Sequence, residues 1–166
     1  MLVEDALRGA EVVAGFEGPI VDVGSGGGSP GIPLAAALPR REFTLLEANG
    51  RKASFLERET VDFPNVRVLR GRAEEQEPDQ FGVAVAKALA PPPIALEWCL
   101  PLVRPGGAAV LWAGPSADFD RLGLVAEHLA GGKPERQAGL VVVPKVGSTP
   151  PGFPRRPGVA RKRPLA

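Results

Sequence analysis

Short apolar runs alternate along this chain with longer amphipathic stretches. Residues 3 to 13 (VEDALRGAEVV) place apolar side chains at roughly helical spacing, and residues 19 to 23 (PIVDV) form a β-rich run that stops at glycines. The pattern predicts a helix followed by a strand. Gly31 to Leu38 reads as a second helix, with Pro33 in its first turn where a missing amide does little harm. Phe43 to Leu46 is then a strand, residues 50 to 60 (GRKASFLERET) an amphipathic helix, and Val66 to Leu69 a third strand after the turn at Pro64-Asn65. Val83 to Ala86 gives a fourth strand and a helix runs from about Pro93 to Val103, after which Gly106-Gly107 leads into a fifth strand at Ala108 to Trp112. Residues 118 to 130 predict another helix, and Leu140 to Pro144 a last strand lying antiparallel at the sheet edge.

Strands alternating with helices of this length imply right-handed crossovers and an α/β fold. The sheet is mostly parallel and doubly wound, with an antiparallel edge strand. Near-continuous apolar strands such as Val83 to Ala86 agree with burial on both faces. The 166 residues suffice for one domain, read here as residues 1–147, followed by a basic Pro-rich tail over 148–166. Gly 21 and Pro 19 would suit a disordered chain, but 44% hydrophobic residues in periodic runs argue for a packed one.

Composition narrows the chemistry. No apolar run approaches the roughly 18 residues of a membrane span, and the first fifteen residues carry Glu4, Asp5 and Glu11 instead of a basic start. A cytoplasmic protein without membrane contact is expected. One cysteine and one histidine exclude an internal disulfide, a Cys-rich zinc site and a His cluster, so no metal is expected. Cys99 lies in an apolar helical stretch and reads as a core residue, and His128 as a helix-surface one. The net charge of +1 conceals an asymmetry. All 19 acidic residues lie at or before Glu135 against 13 basic ones, while Arg136, Lys145, Arg155, Arg156, Arg161, Lys162 and Arg163 follow it. Such a block is attracted to polyanions, which makes nucleic acid the natural partner.

The strongest chemical signal is VDVGSGGGSPG at 21 to 31, a glycine-rich turn between a strand and a helix. Gly24, Gly26 and Gly28 let backbone approach a ligand, and the next helix offers N-terminal amides. Gly26-x-Gly28-x-x-Gly31 also satisfies the dinucleotide pattern, so spacing alone does not choose a cofactor. Asp22 helps to choose: a carboxylate would repel a pyrophosphate in this turn, whereas a sulfonium cofactor bearing an amino group offers positive charge. This favours S-adenosyl-L-methionine, although a carboxylate that merely hydrogen-bonds the turn amides explains Asp22 as well. Glu47 ends the second strand, where an acid accepts hydrogen bonds from ribose hydroxyls in either kind of site. Ala73 and Glu74, after the third strand, are candidates beside the adenine, although an acidic helix start explains Glu74 as well. Lys87 ends the fourth strand, as a group for substrate phosphate or base, or as a snorkelling lysine.

At these residues the chain resembles the RsmG (GidB) family of bacterial methyltransferases acting on guanine N7 in small-subunit (16S) ribosomal RNA. The resemblance rests on VDVGSGGGSPGIPLA (21 to 35), FTLLEANGRKASFL (43 to 56), VRVLRGRAEE (66 to 75), LEWCLPLVRPGG (96 to 107) and FPRRPGVARKRPL (153 to 165). It implies a Rossmann-like class I methyltransferase fold, rRNA processing in the cytoplasm and RNA binding. It also implies cofactor contacts from Asp22, Gly24, Ser25, Gly26, Gly28, Glu47, Ala73, Glu74 and Lys87. RNA contacts are expected from Lys87, Lys145, Arg155, Arg156, Arg161, Lys162 and Arg163, on free RNA or an assembling small subunit. Three departures stand out: Lys87 replaces the family's usual arginine, Trp112-Ala113-Gly114 replaces a lysine-glycine pair, and the segment before the first strand is short.

Guanine N7 has an exposed lone pair, so its methylation needs no general base, metal or enzyme nucleophile. The expected catalysis is positional, with Lys87 placing the substrate. A monomer is expected. Two other readings stay in view: a non-catalytic RNA-binding descendant and a nicotinamide-dependent oxidoreductase.

Overall fold

The computed structural model describes residues 2–166. Seven strands form one sheet in the order β3-β2-β1-β4-β5-β7-β6. The parallel strands are β1 (Ile20–Val23), β2 (Phe43–Glu47), β3 (Val66–Arg70), β4 (Phe81–Lys87) and β5 (Val103–Trp112). The antiparallel pair β6 (Glu135–Gln137) and β7 (Leu140–Pro144) closes the far edge, with β7 against β5. The predicted strand at Leu140 to Pro144 and its direction are thus found, but the edge position expected of it belongs to β6. β6 was not foreseen, because its three residues are all exposed and carry no apolar signal.

Alternate residues of the central strands feed two cores, one per face. Val21, Val23, Ala84, Ala86, Ala109 and Leu111 pack with α5 (Pro92–Cys99) and α6 (Phe119–His128). Ile20, Val83, Val85, Ala108 and Val110 pack with α2 (Ala10–Ala14) and α3 (Gly31–Ala37). The remaining helices are α1 (Leu2–Leu7), α4 (Gly50–Glu59) and α7 (Val159–Lys162). Among the described residues no helix is long and apolar enough to cross a membrane.

Two helical expectations are corrected. The helix expected over residues 3 to 13 is broken between α1 and α2 at Arg8-Gly9. The carbonyl of Asp5, which the Gly9 amide would use in a continuous helix, accepts instead from Trp112 Nε1 at 2.8 Å, and Gly9 N–H turns to Ala6 O at 3.2 Å. The indole ring lies so close that a Cβ on Gly9 would be 2.5 Å from Trp112 Cζ2. The helix expected to reach Val103 ends at Cys99 and tightens into a 3-10 turn, Leu100–Leu102, around Pro101, which has no amide to donate. The tail also differs from a free appendage. Through Thr149 it bonds Asp79 and the Pro101 carbonyl, it forms α7 against α5, and it packs Phe153, Leu165 and Ala166 on the core.

Candidate active site

The strand order reverses between β1 and β4, and open α/β sheets bind ligands in the crevice this leaves at their carboxyl ends. A cleft of about 640 Å³ opens there, within the range of small-molecule sites. Its floor and walls come from strand ends: the glycine turn after β1, Glu47 closing β2, the 3-10 turn Ala73–Glu75 after β3, and Lys87 closing β4.

The glycine turn is held from two sides. Glu47 is almost buried, and its two oxygens accept from Gly26 N–H and Asn49 N–H, both at 2.8 Å. One carboxylate therefore fixes the turn and the start of α4 while still lining the cleft. Gly24 has φ 69°, and a Cβ there would collide with the Leu89 side chain, so this position requires glycine twice over. Ser25 Oγ donates to the Asp22 carbonyl at 3.0 Å, bracing the first residue of the turn.

Asp22 lies elsewhere than the cofactor contact expected of it. Fully buried beneath the turn, it is not part of the cleft wall. Its Oδ2 accepts from Gly31 N–H at 3.0 Å and its Oδ1 has no hydrogen-bond partner. Burial pushes its carboxyl up to about 7. The residue joins the turn to the first amide of α3. Gly28 is similarly set back, packed against Ile32, while Gly27 and Ser29 face the cleft instead.

Ala73, Glu74 and Lys87 do line the cleft. Glu74 accepts from Gly158 N–H at 3.1 Å, which ties the C-terminal segment to the cleft rim. Lys87 Nζ pairs with Asp5 of α1 at 2.7 Å, and that contact holds the Asp5 carboxyl below its ordinary value. The N-terminal helix thus presents Lys87 to the cleft.

The basic residues expected to face RNA divide into two sets. Arg156, Arg161, Lys162 and Arg163 are exposed. Lys145 is not: its side chain is fully buried, with Nζ donating to Asp79, Thr149 and the Leu100 and Val103 carbonyls at 2.6 to 3.1 Å. Burial lowers its pKa, and four acceptors absorb its charge, so its RNA-facing role is corrected to a structural one. Arg155 is likewise committed. It makes a bidentate pair with Glu97 of α5, Nε to Oε2 at 2.8 Å, and also donates to the Arg163 carbonyl. A pair locked on a nearly buried carboxylate anchors the tail and leaves that guanidinium little freedom to meet RNA.

Sequence reasoning missed Trp98, Leu89, Lys52, Arg72, Gly158 and Arg161 as cleft residues. Arg161 was read only as an RNA contact, yet its guanidinium carbon sits 5.1 Å from the Trp98 ring centre. No sequence signal announces that pairing across 63 positions. For Lys52 the signal existed: Asn49 caps α4, its Oδ1 accepting from the Arg51 and Lys52 amides, which fixes Lys52 in the first turn beside Glu47. Cys99 is buried in the core as expected, where burial raises its thiol pKa and keeps it unreactive. His128 is exposed on α6, also as expected.

Residues 1–122 match the family model GidB, rRNA small subunit methyltransferase G. The chain belongs to this family. Proteins named ribosomal RNA small subunit methyltransferase G match nearly all of it. That of Synechococcus sp. (strain JA-2-3B'a(2-13)) is 34% identical, over 97% of this chain and 72% of its own. The Rubrobacter xylanophilus protein is 36% identical, over 89% of this chain and 65% of its own. The Syntrophomonas wolfei protein is 38% identical, over 88% of this chain and 76% of its own. The chain thus spans about two thirds to three quarters of the length of these GidB-family relatives. Among solved structures, M. jannaschii TYW2 in complex with AdoMet superposes with a TM-score of 0.67 at 17% identity, covering 86% of this chain and 72% of that one. A Thermotoga maritima SAM-dependent O-methyltransferase gives 0.65 at 15% identity, covering 89% and 66%. The GidB chain therefore has the class I methyltransferase fold.

Proposed function

We propose that this chain transfers a methyl group from S-adenosyl-L-methionine to N7 of a guanine in small-subunit (16S) ribosomal RNA. The observation that carries the reading is Glu47: an acid at the end of β2, clamped by Gly26 and Asn49 amides, facing the same cleft as the glycine turn and Lys87. Each carboxylate oxygen retains a second acceptor site, which suits the two ribose hydroxyls of a nucleoside. Ala73 and Glu74 flank the place for its base, and the glycine turn with Ser25 lines the place for its amino-acid end. Among the described residues no cluster of His, Cys, Asp and Glu fit to hold a metal is found, and N7 methylation calls for none.

When bound, the cofactor supplies an electrophilic methyl on a sulfonium centre. The chain's own work is positional: holding reactants in line can remove roughly 7 to 11 kcal/mol from a barrier. Lys87, steadied by Asp5, lies at the strand end where an acceptor enters and offers a charge-assisted bond to a base oxygen or a phosphate. Arg156, Arg161, Lys162 and Arg163 hold flanking phosphates, and residues 148–166 function as an RNA-facing segment folded onto a 1–147 catalytic domain. Such an enzyme acts in the cytoplasm, as a monomer, on RNA or an assembling subunit.

Calorimetric titration with S-adenosyl-L-methionine and separately with NADH tests the cofactor. Micromolar affinity for the first and none for the second is expected; the reverse would restore the oxidoreductase reading.

A further inference from the structure

The cleft mouth carries a second concentration of positive charge, away from the C-terminal segment. Arg51 and Lys52 stand in the first turn of α4, which contains no acidic residue. Arg70 ends β3 beside Glu47 of β2 and reaches over the helix start, its guanidinium carbon 2.8 Å from where a Gly50 Cβ would lie. Arg72 follows two residues later and borders the cleft together with Lys52. Arg51, Lys52, Arg70 and Arg72 are all exposed, and among the described residues none of them forms an ion pair.

Helix stability does not explain this placement. Cations in a first turn oppose the helix dipole, and the amides there are already satisfied by Asn49, so the surface is one of side chains. Protection of an edge strand explains it no better. β3 is an edge, but Arg51 and Lys52 lie on a helix, and Arg67 already guards that strand, its Nε bonded to Thr44 Oγ1 at 3.0 Å. Glu75, next to Arg72, is turned onto the Arg72 backbone amide. A local rule broken in this way, without compensation inside the molecule, marks a surface kept for a partner.

We propose that Arg51, Lys52, Arg70 and Arg72 form an RNA-phosphate-binding surface on the β2–β3 side of the cleft. This rests on the reading of the chain as an RNA methyltransferase. With Arg161 bordering the same cleft from the α7 side, the strand bearing the target nucleotide crosses a mouth that is basic on two sides. Phosphate contacts of this kind set register and affinity and carry no sequence information.

The test is binding of a small-subunit RNA fragment at several salt concentrations to three proteins: wild type, R51E/R70E, and R40E/K133E. The last changes two exposed cations outside the cleft wall by the same net charge. Glutamate at position 51 suits the helix dipole and position 70 is exposed at the end of an edge strand; a melting temperature close to wild type checks that the rim variant keeps its fold. R51E/R70E is expected to bind RNA at least about tenfold more weakly near 0.1 M salt, with the salt slope reduced by roughly 1 to 2, and to bind S-adenosyl-L-methionine as wild type does. R40E/K133E is expected to lose less than about threefold. R51E/R70E tracking R40E/K133E would overturn the rim surface while leaving the function intact, and would leave an acidic protein patch as the rim's partner. Wild type failing to bind RNA would remove both.

Discussion

Asp22 and Glu47 are both acids next to the glycine turn, and burial gives them different work. Asp22 has an ordinary value of 3.8 and is pushed to about 7, so between those values the folded chain keeps a proton that the unfolded chain releases. Its contribution to stability therefore falls as pH rises from about 4 to about 7 and stays low above. Asp22→Asn keeps an acceptor for the Gly31 amide and removes the buried charge. The melting temperature of the variant is expected to gain on wild type between pH 5 and pH 8, and a difference that does not vary with pH would contradict this. Glu47→Gln loses one of two acceptors and turns an NH2 toward a backbone N–H. Cofactor affinity in calorimetry is expected to drop about tenfold or more, corresponding to about 1.5 to 3 kcal/mol for a lost charged hydrogen bond. Unchanged affinity would remove Glu47 from the site. At this scale spacing picked out Glu47, Ala73, Glu74 and Lys87, which line one cleft, but the fold turns Asp22 inward beneath the glycine turn and buries Lys145.

At the scale of elements, the parallel strands were legible because burial on both faces leaves continuous apolar runs such as Val83 to Ala86. The break at Gly9, the short β6 and the docked tail were not, and each depends on a partner distant in sequence. Trp112 breaks the first helix from more than 100 positions away, and Glu97 pins Arg155 across 58. The tail's composition suggested an RNA-binding arm, and its exposed residues still fit one. Its anchoring implies more: the Arg155–Glu97 pair helps hold the segment that brings Gly158 and Arg161 to the cleft, together with the Glu74–Gly158 hydrogen bond. Arg155→Ala leaves Glu97 buried and unpaired, so thermal or denaturant unfolding is expected to show a loss of about 3 kcal/mol. Cofactor affinity should fall with it. Arg156→Ala, at an exposed site, should leave stability and cofactor binding unchanged and weaken RNA binding alone. Equal behaviour of the two variants would contradict the division between anchor and contact.

For the whole molecule, a doubly wound sheet places a nucleoside-sized cleft at its switch point, and the chain surrounds that cleft with cations from three elements: Lys87 of β4, Lys52 of α4 and Arg161 of α7. A cleft of this size bordered by exposed cations suits the proposed RNA methyltransferase better than an oxidoreductase of small substrates. The direct test is incubation of the purified chain with methyl-labelled S-adenosyl-L-methionine and undermethylated small-subunit RNA, free and in particles, followed by nucleoside mass spectrometry. Label recovered as 7-methylguanosine, and lost with Glu47→Gln, is the predicted result; label in another nucleoside, or none in either substrate, would contradict the account.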